Sequence, residues 1–278
     1  MLSVSQLFIY PIKSLHGIAI QSANVTDRGL QHDRRFLLID KNNRFLTQRE
    51  FPKMALLQTA IEEDHCMVFQ KGSVENKLVL PLVPGKVGEK ISVRIWDDDC
   101  DALLMSKEVN EWFSSQLGIR CSLVYMPDST ERRVDPKYAI NNDITSFSDA
   151  YPILIIGQAS LDDLNSRLAE PIPVNRFRPN IVFTGGTPYE EDEMEHFRIN
   201  NLDFYGVKPS ARCVVTTTNQ ETGIAGKEPL KTLATYRAKN NKVYFGQNVL
   251  MKGVGKINVG DPIEMVRQNQ TSFLSQIF

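Results

Sequence analysis

The sequence has few cysteines: Cys66, Cys100, Cys121 and Cys213, four in 278 residues, with no C-x-x-C pair among them. Such spacing excludes a disulfide framework and fits a reducing compartment. Excess charge is missing too, since 32 basic residues face 33 acidic ones. Nothing global therefore draws the chain to nucleic acid or to an anionic membrane, and an anionic ligand has to be held by a local cluster. No apolar run approaches the ~18–20 residues that span a bilayer. The segment Met1 to Tyr10 lacks the basic-then-apolar order of a secretory signal. The expectation is a soluble cytoplasmic protein with neither a nucleic-acid nor a membrane partner.

Several catalytic signatures are absent as well. His16, His32, His65 and His196 stand alone, without H-E-x-x-H or Cys/His zinc spacing. There is no G-x-S-x-G elbow. Gly223 to Lys227 resembles a phosphate loop only in part, because Glu228 stands where a magnesium-binding Ser or Thr belongs. Gly253-Val254-Gly255 lacks the third glycine of a dinucleotide fingerprint.

What is present is an ordinary globular composition, 42% apolar and 23% charged, with material for a sizeable core. Short runs rich in branched and aromatic residues dominate: 4–10, 36–39, 91–96, 122–125, 153–156, 181–184, 243–245 and 262–266. Pro84 to Gly88 is a turn signal. One helix follows Ser106 as N-cap, with Val109, Trp112, Phe113 and Leu117 on one face and Gly118 closing it. A second starts at Ser160, carries Leu161, Leu164 and Leu168, and ends before Pro171. A third follows Pro229. Many strands and few helices predict a β-rich α+β fold, barrel-like with peripheral helices. The polar stretch Met126 to Pro136 marks a boundary, giving expected domains at 1–126 and 127–268 and a polar tail at 269–278.

Five clusters carry candidate chemistry. Tyr10-Pro11-Ile12-Lys13-Ser14 ends the first strand, where a lysine and a hydroxyl suit an oxyanion. Asp33-Arg34-Arg35 enters a strand, and an inward arginine needs an anion. In Phe177-Arg178-Pro179-Asn180, the pre-proline Arg178 is expected to be extended, and Asn180 offers an amide. Ser210-Ala211-Arg212-Cys213 precedes Thr216 and Thr217, and the guanidinium favours a thiolate. Phe245-Gly246-Gln247-Asn248 combines a permissive glycine with two amides. Each alone also reads as ordinary structure: surface turns, a solvated strand start, a polar loop, and for Cys213 a small buried residue opening a strand.

In this order the clusters resemble the MOSC proteins, on the branch of the mitochondrial amidoxime-reducing component and its bacterial relatives. Glu228-Pro229-Leu230 and Val259-Gly260-Asp261 extend the match over nearly the full length. The resemblance implies an N-terminal β-barrel-like domain, a MOSC β-barrel, and a molybdenum cofactor of the molybdopterin type between them. It implies Cys213 as the molybdenum ligand, and Lys13, Ser14, Arg34, Arg178, Asn180, Ser210, Arg212 and Asn248 around the anionic cofactor. Asp149, locally a turn acid ahead of a strand, matches a family aspartate near the metal and is a catalytic candidate with Cys213. Relatives often carry Cys-Ser-Arg-Cys where this chain has Ser210-Ala211-Arg212-Cys213. The ferredoxin cluster C-x4-C-x2-C of bacterial relatives is absent before Phe278. Electrons are thus expected from a separate ferredoxin-type or flavin reductase donor, unless the chain is a piece of a longer protein. The implied activity is reduction of small N-hydroxylated compounds by oxygen removal. The alternative is a cofactor carrier or sulfur-handling protein without turnover.

Overall fold

Side chains that alternate in and out of a sheet build the barrel. In this computed structural model, described over residues 1–85 and 88–269, strand β1 (Leu2–Ile9) buries Leu2 and Val4, then Leu7 and Ile9. The phase slips where pairing is irregular between Val4 and Gln6, and there the Ser5 hydroxyl donates to the Val182 carbonyl at 3.1 Å. An extra residue in one strand changes which side chains face inward. The other staves are β2 (Ile153–Gly157), β3 (Ile181–Thr184), β4 (Met194–Ile199), β5 (Leu202–Arg212), β6 (Lys242–Lys252) and β7 (Pro262–Gln268). Their hydrogen-bonded order is β2–β3–β1–β7–β4–β5–β6, and β6 pairs back onto β2, closing a seven-strand barrel. Val4, Leu7, Ile155, Phe183, Phe197 and Phe204 fill its interior.

Two helices flank the strands, α1 (Lys107–Leu117) and α2 (Gln158–Ser166). The β2–β3 pair is the parallel joint of the barrel, and α2 lies in the crossover that such a joint requires. Ser160 does not cap this helix; Gly157 occupies the N-cap position. Ser160 is instead buried inside α2, where its hydroxyl donates to Glu191 at 2.6 Å and accepts from the Tyr189 amide at 2.7 Å. Those partners lie far along the chain, so local capping chemistry could not reveal them. At α1 the Ser106 side chain does cap, Val109 and Phe113 are buried, and Gly118 closes the helix at φ 68°. The expected third helix is a single turn, Leu230–Leu233.

A second sheet orders Phe36–Ile39, Ser122–Tyr125, Asp98–Leu104 and Lys90–Ile95. All four residues of Phe36–Ile39 are buried, because apolar clusters cover both faces. A meander of Leu57–Glu62, His65–Gln70 and Ser73–Pro81 packs beside it.

Chain order and sheet membership differ in the opening residues. Strand β1 belongs to the barrel, and Ser22–Thr26 pairs with Gly255–Asn258. The segment after β1 then crosses to the second sheet, where Ile12 bridges Phe36. Lys13 and Ser14 are thereby held between barrel and sheet. The polar tail expected at 269–278 lies, beyond Asn269, outside the described residues, as do Lys86 and Val87 of the expected turn.

Candidate active site

Tyr10 organises the floor of the site. Its ring is buried between two guanidiniums, Arg34 at 4.4 Å and Arg178 at 4.2 Å from the centroid. Its hydroxyl donates to the Pro179 carbonyl at 3.0 Å, and its backbone amide donates to Asp33 at 2.8 Å. Burial pushes the hydroxyl up to about 12, so it stays a neutral donor. The ring gives both arginines a flat electron-rich surface in place of water.

Arg34 sits at φ 49° and donates to Asp33 at 2.5 Å, to Asn180 at 3.1 Å and to the Arg178 carbonyl at 3.2 Å. Burial opposes its charge, but Asp33 outweighs that and raises its pKa. Arg178 was expected to be extended before Pro179 and is instead left-handed, at φ 57°. Its amide donates to the Asn175 carbonyl at 3.2 Å, continuing the tight turn that begins at Val174–Arg176. Tertiary contact holds it there: one guanidinium nitrogen donates to the Leu15 carbonyl at 2.7 Å. Burial pulls its pKa down to about 10, which still leaves a cation at neutral pH.

Cys213 follows the end of β5 and leads into the turn Val214–Thr217. Its carbonyl accepts from the Thr216 amide at 3.1 Å and hydroxyl at 2.9 Å. Of the four free cysteines it is the exposed one; Cys66, Cys100 and Cys121 are buried. The buried reading of Cys213 therefore fails, since the strand ends before it. Burial alone pushes the Cys66 thiol up to about 12, the behaviour of an inert core thiol. Neighbouring Arg212 donates to the Ser210 hydroxyl at 2.9 Å and to the Phe177 carbonyl at 2.5 Å.

Asp149 faces these cations from the loop ahead of β2. Lys13, 6% exposed, reaches it at 2.7 Å. Partial desolvation in the cavity opposes ionisation of Asp149, whose side chain is still 67% exposed, but Lys13 foremost, then Arg49 and Arg34, hold it well below the usual carboxylate range. Burial likewise pushes the Lys13 ammonium down to about 8, against the pull of Asp149. Buried Arg132 fixes the loop from behind, donating to the carbonyls of Ser146 at 3.1 Å, Ser148 at 2.6 Å and Asp149 at 2.9 Å. Asn248 comes from β6, opposite Leu154 of β2 and Lys208 of β5.

All ten expected residues line one cavity of about 290 Å³: Lys13, Ser14, Arg34, Asp149, Arg178, Asn180, Ser210, Arg212, Cys213 and Asn248. Sequence reasoning missed Arg49, Lys208 and Lys242 on the same wall and Arg132 beneath it, and it quoted Tyr10 and Asp33 in their motifs without giving them a role. A period-two reading of β5 would have put Lys208 on one face with Ser210 and Arg212. Among the described residues no cluster of three His, Cys, Asp or Glu could hold a metal ion. Among the described residues, no helix is long and apolar enough to cross a membrane.

A family model described as MOSC N-terminal beta barrel domain matches residues 1–120, and one described as MOSC domain matches residues 142–264. The chain is 32% identical to mitochondrial amidoxime-reducing component 1 of Mus musculus, over 96% of this chain and 83% of that protein. It is 31% identical to mitochondrial amidoxime reducing component 2 of Bos taurus, over 96% of this chain and 84% of that one. A molybdenum cofactor sulfurase of Oryza sativa subsp. japonica is 31% identical over 87% of this chain and 32% of its own length. The chain belongs to the MOSC-domain family that includes the amidoxime-reducing components.

Proposed function

We propose that the chain binds a molybdenum cofactor in this cavity and reduces N-hydroxylated compounds. The observation that carries the reading is the exposed thiol of Cys213 in a cavity also lined by Lys13, Arg34, Arg178 and Arg212. The donor set fits an anionic pterin with a phosphate. Arg178 Nη2, Arg212 Nε and Arg49 Nε are buried without a protein acceptor. Buried donors are seldom left unpaired, and an oxyanion-bearing ligand is the partner such a set calls for.

When bound, the cofactor supplies the metal, its two-electron couple and an open position for an oxygen atom. In this reading Cys213 provides the protein thiolate, which tunes the metal by donation. Lys13, Arg34, Arg178 and Arg212 neutralise the phosphate and fix the pterin, with Ser14, Asn180, Ser210 and Asn248 as polar neighbours. The overall reaction is R–NH–OH plus two electrons and two protons giving R–NH2 and water; an amidoxime gives the amidine. Asp149, ionised throughout the neutral range, orders solvent at the mouth. Lys13, whose pKa is brought near neutrality, is the acid that can return a proton through that solvent. Electrons come from a separate ferredoxin-type or flavin reductase donor. The free cysteines support a reducing, cytoplasmic setting.

A carrier or sulfur-handling role is the second reading, favoured by the match to the rice molybdenum cofactor sulfurase. Both readings are tested by expressing the protein in cofactor-competent cells, measuring molybdenum per chain, and assaying benzamidoxime reduction with an artificial donor. Stoichiometric metal with turnover supports the reductase. Stoichiometric metal without turnover supports the carrier.

A further inference from the structure

Trp96 and Asp97 form the tip between the paired strands Lys90–Ile95 and Asp98–Leu104. Such two-residue turns favour Asn, Asp or Gly, because they need positive φ. Here the position at φ 57° is a tryptophan. A bulky residue held in the left-handed region is strained, and strain of this kind points to a local role. Burial does not explain the choice, since Trp96 is 43% exposed.

Its contacts do. The indole N–H donates to Asp149 Oδ1 at 3.3 Å, the same oxygen that Lys13 holds. The Arg49 guanidinium lies 4.1 Å from the indole centroid, and Phe45 supports the ring at 5.2 Å. The charges that act on Asp149 are cationic: Lys13, Arg34 and Arg49 from the first half of the chain, Arg178 and Arg212 from the second. Arg132 binds its backbone carbonyl. A carboxylate with 67% of its side-chain surface exposed, among so many cations, has several competing orientations. A neutral donor on a short hairpin selects one of them.

We propose that Trp96 is a positioning residue, fixing the Asp149 carboxylate through its indole N–H and Arg49 through its ring face. The catalytic consequence rests on the reductase reading, whereas the contact itself does not. Two tryptophans are present, so the indole N–H region of a proton–nitrogen correlation spectrum holds two signals. Trp96→Phe identifies the Trp96 signal. Asp149→Asn, or Asp149→Ala should that variant not fold, is expected to move it while leaving the Trp112 signal in place. With molybdenum per chain unchanged, Trp96→Phe is expected to lower kcat about tenfold with KM unchanged, since misplacing the carboxylate that orders solvent for proton delivery costs turnover rather than binding. Trp96→Ala, which also removes the shelf under Arg49, raises KM as well. An unmoved Trp96 signal in both Asp149 variants overturns the proposal. So does wild-type kcat in Trp96→Phe. A protein that moves the signal but reduces no N-hydroxylated compound overturns the reductase reading and upholds the contact.

Discussion

Carboxyl groups in this protein take opposite courses according to their neighbours. Asp149 is crowded by cations and stays ionised. Glu191 is fully buried, with one oxygen bonded to Ser160 and the other unpartnered, and burial pushes it up to about 7. A carboxyl whose folded pKa is raised weakens folding as pH climbs from its unfolded value, about 4, through the folded one, because the unfolded state ionises first. Glu191→Gln is therefore expected to leave stability nearly unchanged at pH 4 and to add about 3 kcal/mol at pH 8, measured by chemical denaturation. An equal effect at both values would contradict this reading. Lys13 runs the other way: an ammonium lowered to about 8 is charged below that pH and neutral above it. Turnover, in the reductase reading, is expected to fall as pH rises past 8, and a pH–rate profile checks it. The ten residues expected at the site, which line one cavity, were named from ordered motifs. Arg49, Lys208 and Lys242 carry no motif and reach the cavity only through tertiary packing; Trp96, on a hairpin tip, meets the cavity residues Asp149 and Arg49.

Elements were legible where apolar residues run or alternate. Phe36–Ile39 is a continuous apolar run, and it is a strand buried on both faces. Ser106 and Gly118 bracket α1 by local chemistry alone. Strand β5 was missed because Gly206 and Pro209 break its pattern, and pairing with β6 is irregular at both places. The meander strand Ser73–Pro81 is polar and exposed over its first half, and only Leu78 and Leu80 near its end turn to the core, too short a pattern to reveal it. Strand β6 was foreseen as a short run ending in a turn, yet it continues through Gly246 to Lys252. That glycine sits at φ 79°, and an added Cβ would meet Ile156 at 2.8 Å and the Ile155 carbonyl at 3.0 Å. Gly246→Ala is expected to cost about 2–3 kcal/mol, through strain and forced separation of β6 from β2. Thermal unfolding checks it, and an unchanged Tm would contradict the close approach.

At the scale of the molecule, the two halves of the chain are interlocked. Strand β1 is one of the seven staves, although it comes first in the sequence. Asn180 accepts from Arg34 and from the Leu154 amide while donating to the Phe8 carbonyl. Gln48 and Gln220 exchange a buried pair of amide hydrogen bonds at 3.1 and 2.9 Å. A fragment beginning at residue 127 would lack β1 and leave the edges of β3 and β7 open, and open edges invite misfolding. Circular dichroism is expected to show it unfolded or aggregated; strand content like that of the whole protein would contradict the account. The same interlocking puts the candidate site between barrel and sheet, where Lys13, Arg34 and Arg178 each bond across the two halves. The most direct measurement is molybdenum per chain in wild type and in Cys213→Ala, both expressed in cofactor-competent cells. Cys213 is exposed and past the end of its strand, so its removal should leave Tm nearly unchanged. The account predicts about one molybdenum per wild-type chain, with loss of benzamidoxime reduction in the variant. Wild-type protein without molybdenum, or a Cys213→Ala protein with full activity, would contradict it.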